Sequence, residues 1–377
     1  MSQTPTSSFP DRPAITLSGD SAPALPLPLT VEGITAAWLT RAIGTTVPGL
    51  VVRDARELEV MPGTSTKIRV AIDYADPVHD RTLPRRVIVK GGFEDHSPTL
   101  AAMFLNEIRF YRDIQPIAAL RTPMALFAAS DPASHQAIVV MEDLSARGVT
   151  FCTPLQPQSF AMCARRLGDL ARFHTQSWNA PDFAPGGRWD WVRSRFTTDS
   201  AAYAARYLAP DVWGHYMTLP RAAAVSSRLH DRAWMAHALH RLGEIDAQGD
   251  RCILHGDTHL GNLYVEADGT PGYLDMQVTR ANWALEVAYH IATSIDLADR
   301  RRWEGALLEG YLLALRSAGV APPDFDTAWR AYVRALAYAY FIFVINEVRF
   351  QTEAVNSANT ARVGAAMIDL GTMEALS

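Results

Sequence analysis

The run Ile253-Leu254-His255-Gly256-Asp257-Thr258-His259-Leu260-Gly261-Asn262-Leu263 is followed by Leu274-Asp275-Met276-Gln277. Asp257 and Asn262 are 5 apart, and Asn262 and Asp275 are 13 apart. Transfer of a phosphoryl group from ATP asks little covalent help of a protein. It needs a carboxylate to orient the attacking hydroxyl and hard oxygen ligands to hold Mg²⁺ against the phosphates. An Asp, an Asn five residues on and a second Asp beyond a hairpin supply those parts. The bland alternative is three polar residues around a hairpin, and their joint spacing argues against it.

A second chemistry overlaps the first. His255, Asp257 and His259 form HxDxH, and alternating residues on one side of a loop can ligate a metal, as in a metal-dependent hydrolase. No matching His/Asp cluster follows downstream. Stoichiometric zinc or iron in protein purified without chelator would favour this reading.

The HGDxxxxN run followed by DxQ resembles the aminoglycoside phosphotransferase and choline kinase superfamily, small-molecule relatives of the protein kinases. Within it the likeness is to the ecdysteroid-kinase-like branch, through Leu170-Ala171-Arg172-Phe173-His174, Trp178 and Asp275-Met276-Gln277. It extends over roughly residues 31–350. The resemblance implies an α+β, bilobal protein-kinase-like fold, with a small, mostly antiparallel β lobe and a larger helical lobe. It implies Asp257 as catalytic base and Asn262 and Asp275 as Mg²⁺ ligands. Lys90 would contact the α- and β-phosphates, and Glu107, 17 residues later, would hold Lys90. Gly63, Thr64, Ser65 and Thr66 would cover the phosphates, and Met141, Glu142 and Leu144 would form a hinge meeting the adenine. His255 would support the loop rather than act as base.

Each residue also has a plainer reading. Lys90 beside Gly91-Gly92 could be a solvated strand end, Glu107 a solvent-facing helix residue with Glu94 as its rival for Lys90, and 64–66 a simple turn. His174 on an amphipathic helix is more often a satisfied core histidine. Glu286 is a departure, because relatives carry Asp before the element that here reads Val287-Ala288-Tyr289. The main alternative to an enzyme is an inactive nucleotide-binding protein, and the presence of the base, the lysine and both metal ligands argues against it.

These residues need elements to position them. Thr30 reads as an N-cap for a helix through Ile34, Trp38, Leu39 and Ile43, stopped by Gly44. Strands fit 51–60, 67–74, 86–91, 124–129 and 137–141, with a helix over 99–114. After Asp143 the pattern turns helical: 159–178, 201–207, 228–242, 299–317 and 327–348. A β island at 252–254, 263–265 and 273–274 carries the motif, with Asp268-Gly269 as a hairpin turn. The domains expected are a mobile arm over 1–29, an ATP-binding lobe over 30–142 and a helical lobe over 143–377.

The chain has 377 residues, more than one core usually supports. It is 48% hydrophobic and 20% charged with net charge −5, which disfavours disorder and nucleic-acid binding. Its 3 cysteines have no CxxC spacing, which fits a reducing cytosol. The longest apolar run, Ala335 to Ile345, has 11 residues and reads as a buried helix rather than a span, and no signal peptide is visible at the N-terminus. The expected partner is a small-molecule hydroxyl acceptor. Its pocket is sought among Trp189, Trp191, Phe196, Tyr203, Tyr207, Trp213 and Tyr216, and Tyr338, Tyr340, Phe341 and Phe343. Near the last of these stand mainly Glu347 and Glu353, too few carboxylates for a polycation, so an uncharged, fairly apolar alcohol is expected. A quaternary amine is the rival, since aromatic cages bind cations.

Overall fold

A computed structural model of the protein describes residue 17 and residues 25–377. Two units result. The first takes in the described residues up to Thr150 together with Glu266–Met276, and the second spans Phe151–Val265 and Gln277–Ser377. The sequence reading draws its boundary at 142/143 and keeps 266–276 with the helices.

In the first unit, α1 (Ala36–Gly44) precedes β1 (Val52–Met61), β2 (Thr66–Tyr74), α2 (Pro77–Thr82), β3 (Arg86–Gly91), α3 (Ala101–Arg109), β4 (Ala125–Asp131) and β5 (Gln136–Glu142). The strands form one antiparallel sheet ordered β1-β2-β3-β5-β4. Thr35, not Thr30, caps α1, its hydroxyl accepting from Trp38 N–H, while Val31–Gly33 make a single 3₁₀ turn. Edge strand β1 is largely exposed, carries Arg53, Asp54, Arg56, Glu57 and Glu59 and has two register shifts. Charges and bulges of this kind protect an edge. β2 alternates strictly, sending Ile68, Val70 and Ile72 into a core shared with Trp38, Leu39 and Ile43. In β3, Val87 and Val89 enter that core, so Lys90, next in the alternation, points to the other face. α3 covers that face and continues into a π-helical turn over Phe110–Ile114, where Gln115 N–H reaches Phe110 O.

The mobile arm expected over 1–29 lies mostly outside the described residues. Of its last five residues, Leu25 and Leu27 are buried in the core and Pro26 O accepts from Trp38 Nε1.

The chain passes from one unit to the other within β6 (Thr150–Phe151), and the second unit then runs through α4 (Phe160–Thr175), α5 (Thr198–Tyr207), α6 (Pro210–Tyr216), α7 (Pro220–Ala223) and α8 (Arg232–Gln248) to β7 (Arg251–Leu254) and β8 (Leu263–Val265). β9 (Pro271–Tyr273) falls in the segment that belongs to the first unit. β10 (Thr279–Asn282), α9 (Ala284–Ser294), α10 (Leu297–Ser317), α11 (Phe325–Ile345), α12 (Glu353–Leu370) and α13 (Thr372–Ala375) complete the second unit. β10 pairs antiparallel with β7, so the expected β island gains a strand that short, mixed 279–282 did not announce. α9 and α12 also lie outside the helices expected from periodicity. Every residue of α9 is buried, so it has no polar face to reveal a period.

α11 is the one helix among the described residues long and apolar enough to cross a membrane, and most of it is buried inside the unit. Its C-terminus is held by the fully buried Arg221, which donates to Phe343 O at 3.1 Å and Val344 O at 3.0 Å and pairs with Glu353 at 2.5 Å. The cation meets the carbonyl end of the helix dipole, and the carboxylate compensates its charge.

Candidate active site

β7 delivers the chain into the His255–Asn262 loop through Gly256, whose φ is +90°. A Cβ there would sit 2.2 Å from Gln277 O, so conformation and space both require glycine. Glu286 accepts from His255 N–H at 3.0 Å and Gly256 N–H at 2.7 Å. The longer side chain therefore meets the loop backbone directly. His174 donates Nε2–H to Glu286 at 2.9 Å, and its Nδ1 lies 2.8 Å from the Tyr311 hydroxyl. Burial pushes the Glu286 carboxyl up, but His174, His255 and the Gly256 N–H outweigh it and hold the carboxyl below its ordinary range. His174 is thus a satisfied core histidine with a supporting task.

Asp257 lies at the centre of this loop. Its Oδ1 accepts from the Tyr289 hydroxyl at 2.7 Å, and its Oδ2 from Asn262 Nδ2 at 2.8 Å. Asn262 Nδ2 also donates to Asp257 O at 3.0 Å. Burial raises the Asp257 carboxyl, but His259, Tyr289 and His255 more than offset it and hold it at about 2. Burial and Asp257 push the Tyr289 hydroxyl far up, so it stays a donor. His255 Nδ1 accepts from Asp257 N–H at 3.3 Å. His259 Nδ1 accepts from Gly261 N–H at 2.9 Å, and its Nε2 lies 2.9 Å from the Gln351 amide and 3.6 Å from Asp257 Oδ2. Both histidines of the HxDxH segment thus spend a ring nitrogen on the loop backbone. Among the described residues, no group of three or more His, Cys, Asp or Glu is placed to hold a metal ion.

Sequence reasoning left the α9 contributors without this role. Glu286, Tyr289 and His290 stand at i, i+3 and i+4, one face of a helix, and all three meet the loop. His290 reaches Thr258 O at 3.0 Å and Gln158 Nε2 at 3.0 Å, and burial lowers its ring to about 4, so it is neutral. Three polar groups at helical spacing inside an apolar run were the available signal.

In the first unit, Lys90 Nζ lies 2.7 Å from Glu107 Oε2 and also pairs with Asp275, whose φ is +51°. Burial works against the ammonium, but Asp275 and Glu107 outweigh it and hold Lys90 above its ordinary value. Glu94, the rival for Lys90, instead accepts from the Thr66 hydroxyl at 2.7 Å. Thr66 and Ser65 are buried, Gly63 and Thr64 lie in the β1–β2 turn, and Thr64 O faces His96 Nε2 at 3.4 Å. At the expected hinge, Met141 and Glu142 end β5. Glu142 N–H donates to Met124 O and Asp143 N–H to Arg86 O. Leu144 N–H has no partner among the described residues.

The second unit holds a cavity of about 870 Å³ between α5, α8 and α11. Of the aromatics expected to wall an acceptor pocket, Phe196, Tyr203, Tyr338 and Phe341 line it. The others pack elsewhere. Tyr207 donates to Glu347 at 2.9 Å, Trp213 to His230 O at 2.8 Å and Tyr340 to Leu229 O at 3.3 Å, and Phe343 stacks on Tyr289. Glu353 is taken by Arg221. Arg195 and Tyr338 also line a narrow crevice that reaches Gly256, Thr258 and Tyr289, so one pair of side chains borders both the cavity and the Asp257 loop.

No protein-family model matches the chain. No curated protein matches it. Among solved structures it is similar to an ethanolamine kinase from Plasmodium vivax, at 8% identity over 83% of this chain and 81% of that one, with a TM-score of 0.50. It is also similar to aminoglycoside 2′-phosphotransferase-IIIa solved with GDP, at 11% identity over 89% of this chain and 99% of that one, TM-score 0.50. Likeness at such identity shows a shared fold. The chain has the kinase-like α+β fold, with an antiparallel-sheet lobe and a helical lobe.

Proposed function

We propose that this protein is an ATP-dependent phosphotransferase acting on a hydroxyl of a small molecule, in the aminoglycoside phosphotransferase and choline kinase superfamily and nearest its ecdysteroid-kinase-like branch. The observation that carries the reading is the Asp257 carboxylate, held on both oxygens and kept ionised in a loop whose backbone is pinned by α9. Asp257 orients the acceptor hydroxyl and takes its proton. The hydroxyl oxygen bonds to the γ-phosphorus, the bond from that phosphorus to the β–γ bridging oxygen breaks, and ADP leaves. Lys90, held by Glu107, supplies positive charge to the α- and β-phosphates. The Gly63–Thr66 turn covers the phosphates, and the hinge at Met141–Leu144 meets the base through Leu144 N–H.

Asn262 and Asp275 offer the hard oxygens that Mg²⁺ prefers. Asn262 commits its Nδ2 to Asp257, and its Oδ1 accepts no hydrogen bond among the described residues, as a metal-facing amide would require. The ion would neutralise charge on the phosphates. The three free cysteines suit a reducing compartment such as the cytoplasm. The cavity between α5, α8 and α11 favours an acceptor with an apolar body, as the expected apolar alcohol has.

The test is transfer of label from γ-labelled ATP or GTP, with Mg²⁺, to a panel of aminoglycosides, choline, sugars and apolar alcohols, with Asp257→Ala run beside it. We expect transfer to alcohols with an apolar body rather than to aminoglycosides, and a loss of roughly 10²–10⁴-fold in the variant, with nucleotide binding retained. Normal turnover by Asp257→Ala would remove it as the base. Nucleotide binding without transfer to any acceptor would favour an inactive nucleotide-binding protein.

A further inference from the structure

Arg195 stands where the cavity and the Asp257 loop meet. Its Nη2 donates to Gly256 O at 3.3 Å, and its guanidinium lies over the Tyr338 ring, 5.6 Å from the centroid. Its Nε is buried and has no hydrogen-bond partner, and among the described residues no carboxylate pairs with it. A guanidinium carries five N–H donors and is charged at any physiological pH, so most of its hydrogen-bonding capacity is unspent. Among the described residues, the one carboxylate on the cavity wall, Glu244, is engaged by Arg241 and lies 3.7 Å from His240. Arg232 adds a second cation to the wall.

Asp246 interacts with this charge electrostatically, but no carboxylate among the described residues bonds to it directly, so a guanidinium beside apolar walls keeps N–H donors, its buried Nε among them, for an anion. A cationic acceptor would meet repulsion there. A neutral one would leave the guanidinium without a directly bonded anion. A carboxylate would accept two of the free N–H groups in the fork geometry that guanidinium offers and would neutralise the charge. The scarcity of free carboxylates that argues against a polycation is equally compatible with an anion.

We propose that the cavity between α5, α8 and α11 is the acceptor site, and that its acceptor is a hydroxy compound with an apolar body and a carboxylate close to the reacting hydroxyl, held by Arg195. The proposal rests on the phosphotransfer reading for the word acceptor. The binding site itself can be tested without it.

The experiment is calorimetric titration of the full chain, without nucleotide, with three probes on one carbon chain: 2-hydroxyoctanoate, its methyl ester and 2-aminooctan-1-ol. We expect the carboxylate to bind at least tenfold more tightly than the ester, and the amine most weakly. Arg195→Gln should erase the difference between carboxylate and ester, and Asp257→Asn should preserve it. Ala236→Trp, at an exposed position on the cavity wall, should weaken carboxylate and ester together without disturbing the core. Equal binding of all three probes, preference for the amine, or binding of none would overturn the proposal. So would an Arg195→Gln protein that keeps the carboxylate preference yet loses turnover on every acceptor alike, because the guanidinium would then serve the transferring phosphoryl group. Selective binding with no transfer of label from ATP would instead sink the phosphotransfer reading and leave the anion site standing.

Discussion

Two oxygens of one carboxylate organise the loop at the scale of single residues. Tyr289 and Asn262 each hold one oxygen of Asp257, which fixes the plane in which it can receive a proton. Tyr289→Phe removes one hydrogen bond to a charged group, worth about 1.5–3 kcal/mol. We expect kcat to fall by roughly 10–100-fold with KM for both substrates unchanged, in steady-state kinetics. A lowered melting temperature with unchanged kcat would show the contact to be structural only. Glu286 makes a stability prediction. Its folded pKa lies below the ordinary value of about 4.3, so its contribution is complete above that value and is lost as pH falls through the folded pKa. Urea midpoints measured from pH 7 to pH 3 should therefore drop at the acid end in the native protein. Glu286→Gln should be less stable at pH 7 and show a flatter acid limb; an unchanged limb would mean that other carboxylates set it.

At the scale of elements, α9 and α11 carry most of the burden. α9 is buried along its whole length and turns Glu286, Tyr289 and His290 toward one loop, so three loop contacts depend on one helix orientation. α11 packs its apolar run inside the unit and ends on Arg221. Arg221→Ala would leave the carbonyls of Phe343, Val344 and Asn346, and Glu353, without their shared partner. Breaking a fully buried pair costs about 3–5 kcal/mol, and the partial exposure of Glu353 lowers that figure here. We expect a correspondingly lower thermal midpoint, not restored by Arg221→Lys, because one ammonium cannot reproduce the fork. A shift below about 1 kcal/mol would show that water replaces the guanidinium.

For the whole molecule, nucleotide binding should register as stability. A ligand that binds only the folded chain adds about 2.7 kcal/mol at 100 times its Kd. Mg·ATP should therefore raise the melting temperature in a concentration-dependent way. Asp275→Ala should blunt that rise, since Asp275 faces Lys90 and is assigned to the metal. An equal rise in the variant would remove Asp275 from the metal site. The division of the chain belongs to this scale too. Glu266–Met276 returns to the first unit, where Arg121 and Arg147 both reach Glu266, at 2.8 and 2.6 Å. No linear boundary drawn along the sequence can express that return.

The sequence by itself determined the strands of the first unit nearly to the residue, because alternation of period two on β2 and β3 is a local property of the chain. It also singled out Asp257, Asn262 and Asp275, since residue type and spacing are visible without coordinates, and the resemblance these residues carry pointed on to Lys90 and Glu107. Only the tertiary structure decided which glutamate meets Lys90. Glu94 and Glu107 are equally eligible by type, and the burial of Thr66 beside Glu94 separates them. It decided that the expected aromatic wall divides into four cavity residues and a remainder that packs the core, because an aromatic side chain has the same pattern in either place. It also decided that, among the described residues, no carboxylate bonds directly to Arg195. A charge is legible in sequence, but its compensation depends on residues brought near by folding, and no local pattern records that.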